Sequence, residues 1–310
     1  MDVVEKAESN IQLSVIIPCL NGEATIAEQL EALASQKWSE PWELIISDNG
    51  STDRSKEIAK NYQKHFSRFQ IVDASHRRGG PYALNMGAKA ASSDKLACCD
   101  ADDEVASGWV AAMGEILSQK DIVCGKFLFD KFNEPHIAKR SAEAWKDGLY
   151  TGRFLPGGGS GNFGVKRWLH EAVGGFDESL PHGYDADYFW RIQLEGYTLH
   201  YEPEAVVQVR IGRVKPSLSY LFRRSINQSS SNCWSYKRFR ALGMRPPPTL
   251  MNSFNEWVST FKKFAKACLY NRQEKQVWLE KIVQQTGHFV GNVQGRLTNP
   301  LEPYQPGRKK

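Results

Sequence analysis

A chain of 310 residues with 41% hydrophobic and 24% charged residues is long enough for one large domain, or a domain with an appendage, and its composition excludes a disordered or low-complexity chain. The net charge of +5 suits anionic substrates or an anionic membrane surface, and falls short of the concentrated basicity of a nucleic-acid binder. Cys19, Cys98, Cys99, Cys124, Cys233 and Cys268 show neither paired nor zinc-type spacing, no apolar run reaches the roughly 18 residues of a membrane span, and the acidic start (Asp2, Glu5, Glu8) lacks the apolar core of a secretory signal. A reduced, cytoplasmic protein is expected.

Leu13-Ser14-Val15-Ile16-Ile17-Pro18 is a nearly continuous apolar run, the pattern of a strand buried on both faces. Ile26, Leu30 and Leu33 recur at spacings of four and three, which predicts a helix. Glu43 to Ser47 predicts a second strand, and Asp48 to Asp53 a turn into a helix starting near Asp53. Ile71 to Asp73 reads as a third strand, Pro81 to Ala91 as a third helix and Leu96 to Cys99 as a fourth strand. Strand and helix in alternation specify an α/β fold with a doubly wound, mostly parallel sheet flanked by helices. Such sheets bind ligands at the carboxyl ends of their strands, near the switch in strand order. Those ends here carry Pro18 to Asn21, Asp48-Asn49 and Asp100 to Asp103.

Trp109 to Leu117 predicts a helix and Ile122 to Phe129 a strand. Residues 130 to 155 read as an insertion on the substrate side. Gly157 to Asn162 lacks the Gly-Lys-Ser/Thr ending of a phosphate loop, so its glycines are expected where backbone approaches closely or φ is positive. Phe163 to Val165 predicts a short strand, Asp187 to Leu194 a helix, and Tyr197 to Tyr201 and Ala205 to Val209 two short strands. The organisation expected is a main domain over residues 1–213 and a helical C-terminal extension over residues 214–310. In the extension, Leu218 opens an Arg-rich helical segment and Pro246-Pro247-Pro248 breaks the chain. Met251 to Leu269 predicts a helix with Phe254, Trp257, Val258, Phe261, Phe264, Ala265 and Cys268 on one face and Lys262, Lys263 and Lys266 around the other. Two placements fit: packed on the main domain with its lysines solvated, or lying on an anionic bilayer through residues 251–269. The last ten residues are expected to be disordered.

Asp100, Asp102 and Asp103 crowd three carboxylates into four residues directly after an apolar strand. They repel one another unless something positive lies between them, and Mg²⁺ or Mn²⁺ takes oxygen ligands that it shares with phosphate. The alternative is an acidic turn in which Asp103 or Ser107 caps the next helix.

At this point the ordered blocks resemble the family 2 glycosyltransferases of the GT-A fold over roughly residues 12 to 211. They are Val15 to Pro18 with Asn21; Ile45 to Asp53; Gly80 to Gly87; Asp100-Ala101-Asp102-Asp103, similar to a DxD motif; and Gly174 to Glu178 with Asp185 to Gly196. The resemblance implies a catalytic domain over residues 1–213 that transfers a sugar, with inversion, from a nucleotide donor (a UDP-sugar first) to a carbohydrate or lipid-linked hydroxyl acceptor. Polysaccharide, glycolipid or cell-envelope biosynthesis is the expected setting, with no nucleic acid as partner and with a place in the cytoplasm or at the inner face of the membrane. A divalent cation, Mg²⁺ or Mn²⁺, would be held by Asp102 with Asp100 or Asp103 assisting. By the same likeness Pro18, Asn21 and Glu23 line the nucleotide pocket, Asp48 accepts from the base and Asp100 faces the ribose. Arg78 is expected at the phosphates, with Arg77 equally a solvated loop residue.

An inverting transfer needs one general base for the acceptor hydroxyl. Family members commonly have Glu-Asp where this chain has Tyr184-Asp185, so Asp185 is the expected base; Asp187, near a helix start, is the rival or a residue facing the helix dipole. Many members also carry a metal-completing His after the last core strand. This chain has Val207-Gln208-Val209-Arg210, so either the acidic cluster and diphosphate hold the ion, or Arg210 or Arg213 supplies positive charge. These departures motivate an alternative function, a catalytically degenerate sugar-nucleotide-binding scaffold or regulator of a membrane synthase. A nucleotidylyltransferase is excluded because Pro18 to Glu23 lacks a Gly-rich turn with Thr-Arg. A Rossmann dehydrogenase is excluded because no G-x-G-x-x-G follows the first strand.

Overall fold

The structure, a computed structural model, describes residues 10–152, 154–211, 217–270 and 274–307. In chain order its elements are β1 (Leu13–Cys19), α1 (Ile26–Ala34), β2 (Trp42–Asp48), α2 (Ser55–Asn61), β3 (Phe69–Asp73), α3 (Gly80–Ala90), β4 (Lys95–Cys99), β5 (Glu104–Val105) and α4 (Trp109–Gln119). There follow β6 (Ile122–Leu128), α5 (Pro135–Ala144), β7 (Asn162–Lys166), α6 (Arg167–Ala172), α7 (Tyr184–Leu194), β8 (His200–Gln208), α8 (Leu218–Phe239), α9 (Leu250–Tyr270) and α10 (Lys275–Leu297). Two compact units emerge. One comprises the chain to Glu178, Tyr188–Ile211 and the residues from Gly307; the other comprises Ser179–Asp187 and the stretch from Gly212 to Pro306.

The first unit is built on a mixed sheet in the order β3-β2-β1-β4-β7-β6-β8-β5. Strands β3, β2, β1 and β4 run parallel, while β7 is antiparallel to both β4 and β6. Alternate residues of the parallel strands serve opposite faces. Val15, Ile17, Leu44, Ile46, Ala97 and Cys99 pack with Ile26 and Leu30 of α1 and with Trp109 and Met113 of α4. Ile16 points the other way, toward α3, where a side chain at Gly87 would come within 2.4 Å of it. Burial on both faces is why these strands read as continuous apolar runs.

The last strand departs from expectation. Instead of two short strands, β8 is one strand parallel to β6, with its register shifting between Gly125 and Lys126 so that Glu202 and Val206 face consecutive partners. Residues 203–205 form the bulge, which breaks the alternation while the strand continues. Helix α7 begins at Tyr184, a turn earlier than expected, so Asp185 and Asp187 both lie in its first turn.

In the second unit α10, an element without a prediction from sequence, packs on α8 through glycines four residues apart. A Cβ at Gly287 would come within 2.6 Å of the Phe222 carbonyl oxygen, and one at Gly291 within 2.4 Å of that of Ile226. The C-terminal segment, expected to be disordered, is anchored in its described part. Leu301 is buried with Leu180 and Trp234, and Tyr304 N–H donates to the Arg238 carbonyl at 3.2 Å. These contacts, with the Tyr304 ring 5.7 Å from that of Phe239 and Asn299 Nδ2 donating to the Leu301 carbonyl at 2.8 Å, tie down the Pro-rich stretch. Among the described residues no helix is long and apolar enough to cross a membrane.

Candidate active site

Parallel pairing brings three loops to one edge of the first unit. Cys19 at the end of β1 lies opposite Asp48 at the end of β2, which lies opposite Asp73. The loop after β1 is stapled to the loop after β2. Asn21 takes φ +54°, a left-handed conformation that Asn tolerates, and its Oδ1 accepts from Thr52 N at 2.8 Å. Gly22 N donates to Ser55 Oγ at 2.7 Å and Glu23 N to Asp53 Oδ2 at 3.0 Å, while Glu23 Oε2 accepts from Arg54 N at 2.9 Å. Pro18 lies half-buried in β1 just before this loop.

Asp48 is 2% exposed. Its carboxylate accepts from Gly50 N and Ser51 N at 3.2 Å, and Lys56 Nζ approaches to 3.5 Å. Asn49 holds the next loop, donating to the Ala74 and Arg77 carbonyls at 2.6 and 2.7 Å and accepting from Gly79 N at 2.8 Å. Arg78, exposed, donates from Nη1 to the Asn49 carbonyl at 3.1 Å. Arg77 pairs with Glu178 at 3.0 Å, which accounts for it structurally.

The acidic turn after β4 adjoins these loops. A Cβ at Gly22 would lie 3.7 Å from that of Ala101, and Gln29 of α1 donates from Nε2 to the Asp100 carbonyl at 2.9 Å. Gln29 Oε1 accepts from Val105 N at 3.0 Å, so one buried amide clamps both ends of the turn. Ligand atoms of Asp100, Asp102 and Asp103 all lie within 4.8 Å of one another. Asp102 is exposed and Asp100 half-buried, whereas Asp103 is buried and accepts from Arg210 N at 2.9 Å. Burial, then repulsion from Asp100, pushes the Asp103 carboxyl up to about 8. An all-oxygen set under such strain fits a hard divalent cation, which would relieve the repulsion. The helix-capping alternative finds no support: Gly108 stands at the N-cap of α4, and the side chain that reaches its first turn is Gln36, whose Oε1 accepts from Val110 N at 3.3 Å.

Glycine makes this geometry possible. Cys99 pairs with Asn162, so Asp100 falls beside Gly161, where a Cβ would stand 2.5 Å from Asp100 Oδ2. Close approach, rather than positive φ, explains Gly158, Gly159 and Gly161, whereas a side chain at Gly157 would meet nothing within 4 Å. Gly161→Ala is expected to displace Asp100 and weaken Mn²⁺ binding at the cluster by about 10- to 100-fold with little change in melting temperature, as measured by Mn²⁺ titration and differential scanning fluorimetry.

Arg210, one of the two cations considered in the stretch that lacks a His, is 7% exposed. Its Nη2 pairs with Glu28, and its guanidinium lies 3.6 Å from the Phe132 ring centroid. Nε and Nη1 are buried without a hydrogen-bond partner. Arg213, the other cation considered, lies outside the described residues.

Asp185 and Asp187 belong to the second unit and have different surroundings. Asp187 is fully buried, and its Oδ1 accepts from Arg238 Nη1 at 2.8 Å. Asp185 is half-buried, accepts from Ala186 N at 2.8 Å, and forms no ion pair among the described residues. Burial raises its carboxyl above the ordinary range.

Gln29, Gly161 and Asn162 escaped sequence reasoning as site residues. Asn162 accepts from Trp109 Nε1 and donates to the Lys126 and Ala205 carbonyls, locking β7 beside the acidic turn. The signal for Gln29 was an amide in an otherwise apolar stripe, beside Ile26, Leu30 and Leu33.

The sequence profile of Glycosyl transferase family 2 matches residues 14–173, from β1 through the acidic turn to the end of α6. The chain belongs to glycosyl transferase family 2. Over 122 residues it is 32% identical to the poly(ribitol-phosphate) beta-glucosyltransferase of Bacillus spizizenii, which covers 37% of this chain and 19% of that protein. The chain spans only about a fifth to a third of the length of several curated relatives that it matches. Among solved structures it is similar to the mannosyltransferase PcManGT from Pyrobaculum calidifontis in complex with GDP-Man and Mn²⁺ (TM-score 0.61, 18% identity, 91% of this chain and 87% of that one). It is also similar to S. aureus TarS 1–349 in complex with UDP-GlcNAc (TM-score 0.53, 14% identity, 93% and 92%). These likenesses establish the GT-A architecture of this family 2 member.

Proposed function

We propose that this family 2 member transfers a sugar from a nucleoside-diphosphate donor, a UDP-sugar first, to a hydroxyl acceptor with inversion, in polysaccharide, glycolipid or cell-envelope biosynthesis. The observation that carries the reading is the Asp100–Asp102–Asp103 cluster, set on the strand-end edge beside the loops of β1 and β2. A nucleoside diphosphate is the natural counterpart of such an edge. Relatives point the same way: PcManGT is complexed with GDP-Man and Mn²⁺, TarS with UDP-GlcNAc, and the Bacillus enzyme is named for a polyol-phosphate polymer.

In this reading Pro18, Asn21 and Glu23 line the nucleotide pocket, with Asp48 toward the base and Asp100 toward the ribose. Arg78 meets the phosphates. A divalent cation held by Asp102, with Asp103 and Asp100 assisting, supplies Lewis-acid neutralisation of the charge that builds on the leaving diphosphate. Asp185 takes the proton of the acceptor hydroxyl as that oxygen bonds to the anomeric carbon. The bond from that carbon to the diphosphate oxygen breaks, and the nucleoside diphosphate leaves. Asp187, committed to Arg238, is a poor base by comparison.

A thermal-shift screen of UDP, GDP, dTDP and CDP with Mn²⁺ or Mg²⁺ tests the donor half. At about 100 times Kd a ligand adds roughly 2.7 kcal/mol, so the melting temperature is expected to rise by about 5 °C or more, most with UDP. No shift with any of the four overturns the reading. A second reading, a nucleotide-binding scaffold or regulator of a membrane synthase, draws on Tyr184 in place of Glu and on the engagement of Arg210 by Glu28. It would show the shift without donor hydrolysis or transfer.

A further inference from the structure

Helix α9 covers little of itself. It buries Ser253 and Ala267, and Trp257 donates from Nε1 to Thr286 Oγ1 of α10 at 2.9 Å. Apart from a ring contact of Phe254 with Phe289 of α10, centroids 6.1 Å apart, Met251, Phe254, Phe261 and Leu269 lie beyond that seam, exposed by 66, 47, 46 and 75%. The aromatic residues form a ladder along the helix: Phe254 stacks on Trp257 with centroids 6.3 Å apart, and Trp257 on Phe261 at 5.5 Å. At about 100° per residue these positions share one arc, and Lys262 and Lys266, both exposed, fall on its flank. Lys263 and Lys281 stand over the Trp278 ring at 5.5 and 4.3 Å.

The helical segment that carries this face is one-sided in charge, and of its cations among the described residues only the buried Arg238 is committed to Asp187. From Ser217 to Leu297 there are thirteen Lys and Arg against three Glu and no Asp, although the whole chain carries only +5. The excess positive charge is therefore concentrated in the segment that bears the aromatic ladder.

We propose that this face of α9 docks on the interfacial region of a bilayer rich in anionic lipid. An amphipathic helix with aromatic residues on one side and lysines at its flank lies in the membrane plane, its rings among the upper acyl chains and its ammonium groups at the phosphates. Both halves of the observation are needed. A protein partner or second copy would use the apolar ladder without requiring the cationic surround. A soluble anionic polymer would use the charge but leave Phe254, Phe261 and Leu269 in water. Since α9 does not cross the membrane, attachment is peripheral and sensitive to salt. The inference does not depend on the donor chemistry.

Co-sedimentation of the full chain with vesicles of phosphatidylcholine alone, and of phosphatidylcholine mixed with phosphatidylglycerol, tests it. Binding to the anionic vesicles is expected to exceed that to the neutral ones by about tenfold and to fall with added salt. The double variant Phe254→Ser/Phe261→Ser is expected to lose that binding with its melting temperature and nucleotide response retained, and Lys262→Glu/Lys266→Glu to lose the preference for anionic vesicles. Equal recovery of the chain with both vesicles, or of the aromatic variant and the parent with anionic vesicles, overturns the proposal. Concentration-dependent dimerisation abolished by Phe254→Ser/Phe261→Ser, without vesicle binding, assigns the face to a second copy instead.

Discussion

Asp102→Ala is expected to lower sugar transfer by about 10³-fold or more and to abolish the metal-dependent part of the thermal shift given by nucleoside diphosphates. Of the three clustered carboxylates, Asp102 is the exposed one. Asp103 is tied to the Arg210 backbone and Asp100 lies against Gly161, so their substitution would disturb the loops as well as the chemistry. Removal of an exposed carboxylate leaves the fold intact, and it lessens the acidic repulsion in the metal-free protein. The melting temperature without ligand is therefore expected to hold or rise slightly. Turnover with an acceptor pool and fluorimetry with and without Mn²⁺ read the two effects separately; full activity in Asp102→Ala would remove the cluster from the reaction.

Asp185→Asn is expected to reduce kcat by about 10²- to 10⁴-fold while donor binding is kept. The amide preserves shape and the hydrogen bond from Ala186 N but cannot accept the acceptor's proton. Because burial holds the Asp185 carboxyl above the ordinary range, the acid limb of the parent's pH–rate profile is expected above that range, rising with pH as the carboxylate forms, and absent from the variant. Asp187→Asn should behave differently. It leaves the Arg238 guanidinium, 2% exposed in its side chain, without its anion, at a cost of about 3–5 kcal/mol. Its signature is a fall in melting temperature. Unchanged kcat in Asp185→Asn would exclude it as the base, whereas a nucleotide-dependent thermal shift with no transfer by the parent itself would favour the scaffold reading.

How legible each part was depended on the range of the interactions involved. The parallel strands were readable because burial on both faces leaves an apolar run, as in Leu13 to Pro18 and Leu96 to Cys99. The acidic turn was readable because its carboxylates are consecutive in the chain. Gln29 was not, since what matters is that its amide spans two points of a turn more than seventy residues away. Helix α10 escaped because its packing face is glycine, which carries no hydropathic signal. The unity of β8 was hidden by its bulge, and the anchoring of Leu301 by its proline-rich setting.

By itself the sequence determined the alternation of strands and helices from β1 to β4, the family, and the residue types at the strand ends, because local hydropathy and contiguous motifs encode those directly. Only the tertiary structure decided that Asp103 is buried and driven up, that Gly161 makes room for Asp100, and that Asp187 is spent on Arg238 while Asp185 is not. It also decided which face of α9 stays uncovered. Each of these turns on burial and on partners far away in the chain, and a carboxylate's desolvation and neighbours exist only once the elements have packed.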